Sequence, residues 1–141
     1  MEIINARNEH IPWLADAETR IFSDAWSEAA LTSHLSLSTS RALLAIGEGG
    51  EVLGYLLGSV IAPEGEVYRI ATLPEHRRRG VGNALLSAFL KETDECFLEV
   101  RASNVSARGL YEAHGFSLIA TRKGYYKNPT EDALIYKREK E

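Results

Sequence analysis

One cysteine, Cys96, stands among 141 residues, so no internal disulfide can form and there is no cysteine-based metal spacing. The four histidines, His10, His34, His76 and His114, lack the mutual spacing of a metal site, and no metal is expected. No apolar run approaches the roughly 20 residues of a membrane-spanning helix. The opening residues, Met1-Glu2-Ile3-Ile4-Asn5, have neither a basic nor an apolar stretch, so no secretory signal is expected and a cytoplasmic setting is the default. Excess positive charge is missing too: 16 Lys and Arg face 20 Asp and Glu, for a net charge of −4. A general nucleic-acid binder carries the opposite balance. Repeats, low-complexity tracts and linkers are absent, and 141 residues fit one domain, residues 1–141, around one core.

What is present is a run of alternating elements. Glu2 to Ala6 reads as a strand. His10 to Phe22 reads as a helix whose apolar stripe runs Ile11, Leu14, Ala17 or Glu18, and Ile21. Ser27 caps a second helix, Glu28 to Leu35, and Ser36 to Ser40 reads as a loop. Ala42 to Ile46, Val52 to Ile61 and Glu66 to Leu73 read as three strands joined by Gly47-Glu48-Gly49-Gly50-Glu51 and Pro63-Glu64-Gly65. Val81 to Lys91 is helical, and Cys96 to Val100 is a short strand. Asn104 caps a helix from Val105 to His114 that Gly115 stops. Phe116 to Thr121 and Asp132 to Tyr136 are the last strands, with Tyr125-Tyr126-Lys127-Asn128-Pro129 looping between them. This order predicts an α/β (α+β) chain with mixed pairing. Three hairpin-linked strands in succession exclude a regular βαβ wind.

The chain's most pointed segment is Arg77-Arg78-Arg79-Gly80-Val81-Gly82, between an apolar strand and a helix. Glycines keep side chains out of the turn, and the helix start contributes unpaired N–H groups and the positive end of its dipole. That is a phosphate cradle in outline, a basic patch on an acidic body. Leu85 stands where a dinucleotide fingerprint needs its third glycine, and no Gly-Lys-Ser/Thr follows as in a Walker loop. The bland alternative is a glycine turn beside a solvated charge run.

Arg77-x-x-Gly80-x-Gly82, with Pro74 three residues before it, resembles the acetyl-CoA signature of the GNAT acetyltransferases. Leu110-Tyr111-Glu112-Ala113-His114-Gly115-Phe116 resembles that family's second signature. Leu98-Glu99-Val100-Arg101-Ala102-Ser103-Asn104, Ala25-Trp26-Ser27, Tyr125-Tyr126 and Glu131-Asp132-Ala133 are similar to ribosomal-protein-alanine N-acetyltransferases of the RimI type. Thr72, where that family often has Val, is a small departure. The resemblance implies a single GNAT domain. Its mixed, mostly antiparallel central sheet would have about seven strands with four helices, and splayed central strands would form the acetyl-CoA cleft. It places the cofactor on Ile70, Ala71 and Thr72 of the preceding strand and on Arg77, Arg78, Arg79, Gly80, Val81, Gly82 and Asn83. Asn104 would lie near the thioester or serve only as a helix cap.

Glu99 interrupts an apolar strand, where loss of water favours a general base. From the residues alone, an ion pair with Arg101 or a neighbouring strand is the commoner role; the resemblance makes Glu99 the proton acceptor. Tyr111 is a core aromatic or, by resemblance, the proton donor to the coenzyme A thiolate. Trp26, Glu66, Tyr125 and Tyr126 are expected to bind the acceptor, although aromatics there could equally complete the core. Glu64, Glu66, Glu131 and Asp132 could attract a basic peptide or form a solvated face. Cys96 reads as a small core residue rather than a nucleophile.

An α-amine, with a pKa of about 7.7 to 8.0, is roughly one third neutral near pH 7.4, whereas a lysine is neutral to about one part in a thousand. That favours α-amine acetylation, with the N-terminal alanine of a small-subunit ribosomal protein as the acceptor the resemblance implies. A lysine or small-molecule amine acceptor is the first alternative, and a non-catalytic acyl-CoA sensor the second.

Overall fold

Seven strands and four helices build residues 1–140, the part of the chain described by this computed structural model. In chain order they are β1 (Glu2–Asn5), α1 (Ile11–Ile21), α2 (Glu28–Leu35), β2 (Ser40–Ile46), β3 (Val52–Ile61), β4 (Glu64–Thr72), α3 (Val81–Leu90), β5 (Glu95–Arg101), α4 (Val105–Ala113), β6 (Ser117–Tyr126) and β7 (Glu131–Glu139). Short 3₁₀ turns at Asn8–His10 and Pro74–His76 precede α1 and α3. The strands form one sheet in the order β1-β2-β3-β4-β5-β7-β6. Every neighbouring pair is antiparallel except β4 and β5, which run parallel.

The central strands are apolar on both faces because both are covered. Leu43, Ala45, Leu53, Leu56 and Val67 face one layer, where α3 contributes Val81, Leu85, Leu86 and Phe89 and α4 contributes Tyr111. Ala42, Leu44, Tyr55, Leu57 and Ala71 face the other, where α1 contributes Ile11, Leu14 and Ala17 and α2 contributes Leu31. Each fully buried Leu or Phe stabilises the fold by about 1.5–3 kcal/mol relative to exposure. The expected caps form: Ser27 Oγ accepts from the Ala30 N–H at 3.1 Å, and Asn104 Oδ1 from the Ala107 N–H at 3.1 Å.

Several boundaries differ from the sequence reading. β2 begins at Ser40 rather than Ala42, because Ser40 and Arg41 pair with Ser59 and Gly58 while the Arg41 guanidinium reaches Glu92. β4 begins at Glu64, since Ile61 and Glu64 already pair across a tighter turn. β6 and β7 are much longer than the apolar runs that mark them, and Tyr125 and Tyr126 close β6 instead of lying in a loop. β6 is an edge strand with little buried side chain, so hydrophobic patterning does not show its length.

The sheet opens at its parallel seam. β4 and β5 pair only from Glu64 opposite Glu95 to Val67 opposite Leu98. At that point the β3–β4 register jumps, with Gly58 opposite Val67 and Leu57 opposite Arg69, which leaves Tyr68 as the extra residue of a bulge. A bulge bends its strand and raises its twist. Beyond it β4 continues on β3 to Thr72 and β5 continues on β7 to Arg101, but the two no longer meet.

Candidate active site

Two cavities lie along this split. The first, of about 600 Å³, is lined by Ile70, Ala71 and Thr72 of β4 and by Arg77, Arg78, Gly80, Val81, Gly82 and Asn83 at the start of α3. Asn104, Ser106, Ala107 and Leu110 of the α4 region and Ile21 and Phe22 after α1 complete it. Arg79 is absent from this lining and lies exposed beside it. The backbone of β4 from Tyr68 to Thr72, released from β5, offers unpaired amide groups to an extended ligand.

The glycines act differently from one another. Gly80 is the N-cap of α3 at φ 77°, a left-handed conformation that glycine adopts without penalty. Gly82 is needed for packing: a Cβ there would lie 3.1 Å from Leu110 Cδ2, so its absence lets α3 approach α4. Gly80 has no side chain to cap α3, and the first backbone bond of the helix runs from the Ala84 N–H to the Gly80 carbonyl. The N–H groups of Val81, Gly82 and Asn83 are therefore free, the helix dipole is positive there, and two arginines stand beside them. This donor set fits a polyanionic group such as a pyrophosphate.

The second cavity, of about 680 Å³, lies across the split. Trp26, Glu66, Glu99, Tyr125 and Tyr126 line it, together with Asp24, Tyr68, Arg69, Arg101 and Lys127. All four residues expected to bind the acceptor are thus brought together with Glu99. Glu99 pairs with Arg122 of β6, Nη1 to Oε1 at 3.0 Å, and not with Arg101. The other oxygen, Oε2, has no hydrogen-bond partner among the described residues. The Arg122 guanidinium also covers the Tyr125 ring at 4.2 Å, so one cation holds both the carboxylate and the aromatic wall. Burial pushes the Glu66 carboxyl above its ordinary value, and repulsion from Glu99 and Glu64 adds to the rise. Burial raises Tyr126 as well, again reinforced by Glu99.

Tyr111 lies under the split rather than in either lining. It is 5% exposed and packs against Phe116 and Tyr136 at ring separations of 5.8 and 6.4 Å. Its hydroxyl makes no hydrogen bond within the described residues, yet it is not sealed, since the one sealed, unpartnered side-chain polar atom is His76 Nδ1. Burial drives the phenol's pKa upward, so Tyr111 stays protonated throughout the neutral range. Cys96 is buried, and burial pushes its thiol up to about 12, consistent with a core residue.

Sequence reasoning missed the ionic frame around the second cavity. Arg101 donates to the carbonyls of Lys127 and Pro129 at 2.9 and 3.0 Å, pairs with Glu131 at 3.2 Å and covers the Tyr126 ring at 4.5 Å. Glu131 in turn accepts from the N–H and hydroxyl of Ser103, which hold its carboxyl below the usual range. Glu18 of α1 and Arg69 of β4 form a second, buried pair at 3.0 Å. The signal for that pair was present: a carboxylate on the apolar stripe of one helix and a guanidinium in an otherwise apolar strand.

Comparison with known proteins agrees with this geometry. The Acetyltransferase (GNAT) family profile matches residues 9–116. The chain is 32% identical over 133 residues to the [ribosomal protein bS18]-alanine N-acetyltransferase of Escherichia coli (strain K12), covering 89% of this chain and 88% of that one. It is also 32% identical to the N-alpha-acetyltransferase RimI of Mycobacterium tuberculosis, over 89% of this chain and 84% of the other. The crystal structure of the ribosomal-protein-S18-alanine N-acetyltransferase from Escherichia coli superposes with a TM-score of 0.89 at 28% identity, covering 98% of this chain and 92% of that one. A split sheet with a helix N-terminus at the mouth of its cleft, and a profile match over most of the chain, establish that this protein belongs to the GNAT family of acetyltransferases.

Proposed function

We propose that the chain transfers the acetyl group of acetyl-CoA to the α-amine of a protein N-terminus, that of an alanine-starting small-subunit ribosomal protein, in the cytoplasm. The observation that carries this reading is the pairing of two cavities across one split. A cationic, amide-rich cavity holds the cofactor, and a cavity bearing Glu66 and Glu99 under aromatic walls receives the amine. The Escherichia coli relative described above acts, by name, on the alanine of ribosomal protein bS18, and the Mycobacterium tuberculosis relative is by name an N-alpha-acetyltransferase.

In this scheme the N–H groups of Val81, Gly82 and Asn83 and the side chains of Arg77 and Arg78 hold the pyrophosphate. Ile70, Ala71 and Thr72 pair with the pantetheine amides, and Asn104 closes the wall near the thioester. The neutral amine attacks the thioester carbonyl, so a C–N bond forms and the C–S bond breaks. Glu99, through its unpartnered oxygen, accepts the amine proton directly or through water. Tyr111 donates its proton to the departing sulfur. An α-amine needs little help from the base, because a substantial fraction is neutral at working pH. This is why a partly exposed, ion-paired carboxylate suffices, and why lysine side chains are disfavoured as acceptors. A sensor that does not turn acyl-CoA over has no need of both Glu99 and Tyr111.

The test uses an alanine-starting basic peptide with Glu99→Gln and Tyr111→Phe. Each variant is expected to lose roughly 100-fold or more in kcat while binding acetyl-CoA normally, as loss of general acid–base help requires. Full activity of both across pH would remove these roles. Acetyl label found on lysine side chains alone would remove the α-amine assignment.

A further inference from the structure

Glu18 is fully buried, yet no proton transfer above uses it. Its carboxylate accepts from the Tyr55 hydroxyl at 2.6 Å, the Trp26 N–H at 3.0 Å, and Arg69 through Nε at 3.1 Å and Nη2 at 3.0 Å. Arg69 Nη2 also donates to the Asp24 carbonyl at 2.9 Å, and the guanidinium lies 3.8 Å over the Phe22 ring. A helix carboxylate, a strand tyrosine and the chain between α1 and α2 therefore fix one guanidinium in one orientation. A planar fork held on two of its edges presents the third with little freedom left to lose.

That third edge is Nη1. It donates to no described residue, and it is not sealed, because His76 Nδ1 is the one sealed side-chain polar atom without a partner. Arg69 lines the acceptor cavity, immediately after the Tyr68 bulge and immediately before Ile70 of the cofactor cavity. Two preorganised N–H donors thus stand where the strands part. Glu18 balances their charge, so the guanidinium can sit beside an arriving ammonium without net repulsion.

We infer that Arg69 is a specificity-determining residue whose Nη1 donates to the first carbonyl oxygen of the acceptor chain. This rests on the reading of the second cavity as the acceptor's. In an N-terminal residue the carbonyl carbon is two bonds from the amine nitrogen, so a group that places the amine can reach both. A lysine side chain or a simple alkylamine has no such oxygen, and with it in place the guanidinium edge stays unpaired. A site built to bond a polar group discriminates strongly against a substrate that lacks it.

The experiment compares an alanine-starting peptide with the same peptide carrying a trans-alkene in place of its first amide. Wild-type protein, Arg69→Met and Arg69→Lys are assayed for kcat/KM on both, and acetyl-CoA affinity is measured by calorimetry. Wild type is expected to prefer the amide on the order of 10- to 100-fold, the strength of one charge-assisted hydrogen bond. Arg69→Met is expected to bring that ratio near 1, and Arg69→Lys, which keeps the charge but not the fork, to fall between. Acetyl-CoA affinity should change less than about twofold. A purely structural role would slow both substrates alike, and an unchanged ratio in both variants would overturn the inference alone. Wild-type transfer to neither acceptor would overturn the acceptor reading and the inference with it. Should Arg69→Met not fold, the Arg69→Lys ratio decides.

Discussion

Gly82→Asp separates the two things position 82 does. The new Cβ meets the end of the Leu110 side chain at 3.1 Å, a contact a flexible leucine relieves by a few tenths of an ångström. Aspartate is somewhat better than glycine inside a helix, and a carboxylate in the first turn gains about 0.3–1 kcal/mol from the helix dipole. The folded protein should therefore be about as stable as before. Cofactor binding should suffer, because the carboxylate occupies the space and takes the free N–H groups proposed to hold the pyrophosphate. At about 4 Å two like charges repel by about 1 kcal/mol in water and about 4 kcal/mol at a protein surface. The acetyl-CoA Kd should then rise by roughly 5- to 1000-fold. Arg79→Ala removes an exposed charge outside the cavity lining and should change Kd by about twofold at most. Gly82→Ala supplies the steric control. Calorimetry gives the Kd values and thermal melting checks the fold. Equal shifts in Kd for Gly82→Asp and Arg79→Ala, with both variants folded, would refute the placement of the phosphates at this helix start.

Glu18→Gln should cost up to about 3–5 kcal/mol in a urea titration, because it leaves the Arg69 guanidinium, 13% exposed, with only the exposed Asp24 carboxylate at 3.3 Å as counter-charge; a loss under about 1 kcal/mol would mean that the pair contributes little. Glu66→Gln should raise the melting temperature at pH 7.5 and converge with wild type by pH 4. The Glu66 pKa is raised by burial and by Glu99 and Glu64, so the stability tied to its proton is complete below about 4.5 and lost as pH rises through the elevated value. Identical melting curves at both pH values would contradict that assignment.

Local signals carried well from sequence to structure where one element decides its own fate. Ser27 and Asn104 cap the helices they precede, because a side-chain oxygen three residues before a free N–H needs no distant partner. The strand-to-helix turn at Gly80 was legible for the same reason. β6 was not, since an edge strand exposed on both faces owes its length to pairing with β7 and not to burial. Glu18 and Arg69 stand 51 residues apart, and nothing local to either names the other. The split itself depends on where pairing between β4 and β5 stops, a register property that no single strand encodes. Of the two proposed proton carriers, Glu99 stands out locally as the interruption of an apolar strand, but its role came from the family resemblance, and its partner proved to be Arg122 on the illegible edge strand.

In the proposed scheme the two cavities attract their ligands by different physics. The first has Arg77 and Arg78 and no carboxylate among the described residues of its lining, on a chain whose net charge is −4. An isolated positive mouth on a negative body focuses the field on one spot, which steers an anionic cofactor there and turns it away elsewhere. The second cavity is nearly neutral within itself. Asp24 and Glu18 answer Arg69, Glu131 answers Arg101, and Arg122 answers Glu99, which leaves Glu66 and Lys127 without an ionic partner among the described residues. Its selectivity must come from fixed groups at short range: aromatic walls clamped by guanidinium groups, a carboxylate with one free oxygen and an arginine held on two edges. Each of those clamps uses an ion pair, buried at Glu18 and Arg69 and partly exposed at Arg122 and Glu99, for orientation rather than for attraction, which suits a site that must align one amine with one carbonyl carbon. Long-range charge can therefore bring in acetyl-CoA, and short-range geometry can choose the amine, without either task compromising the other.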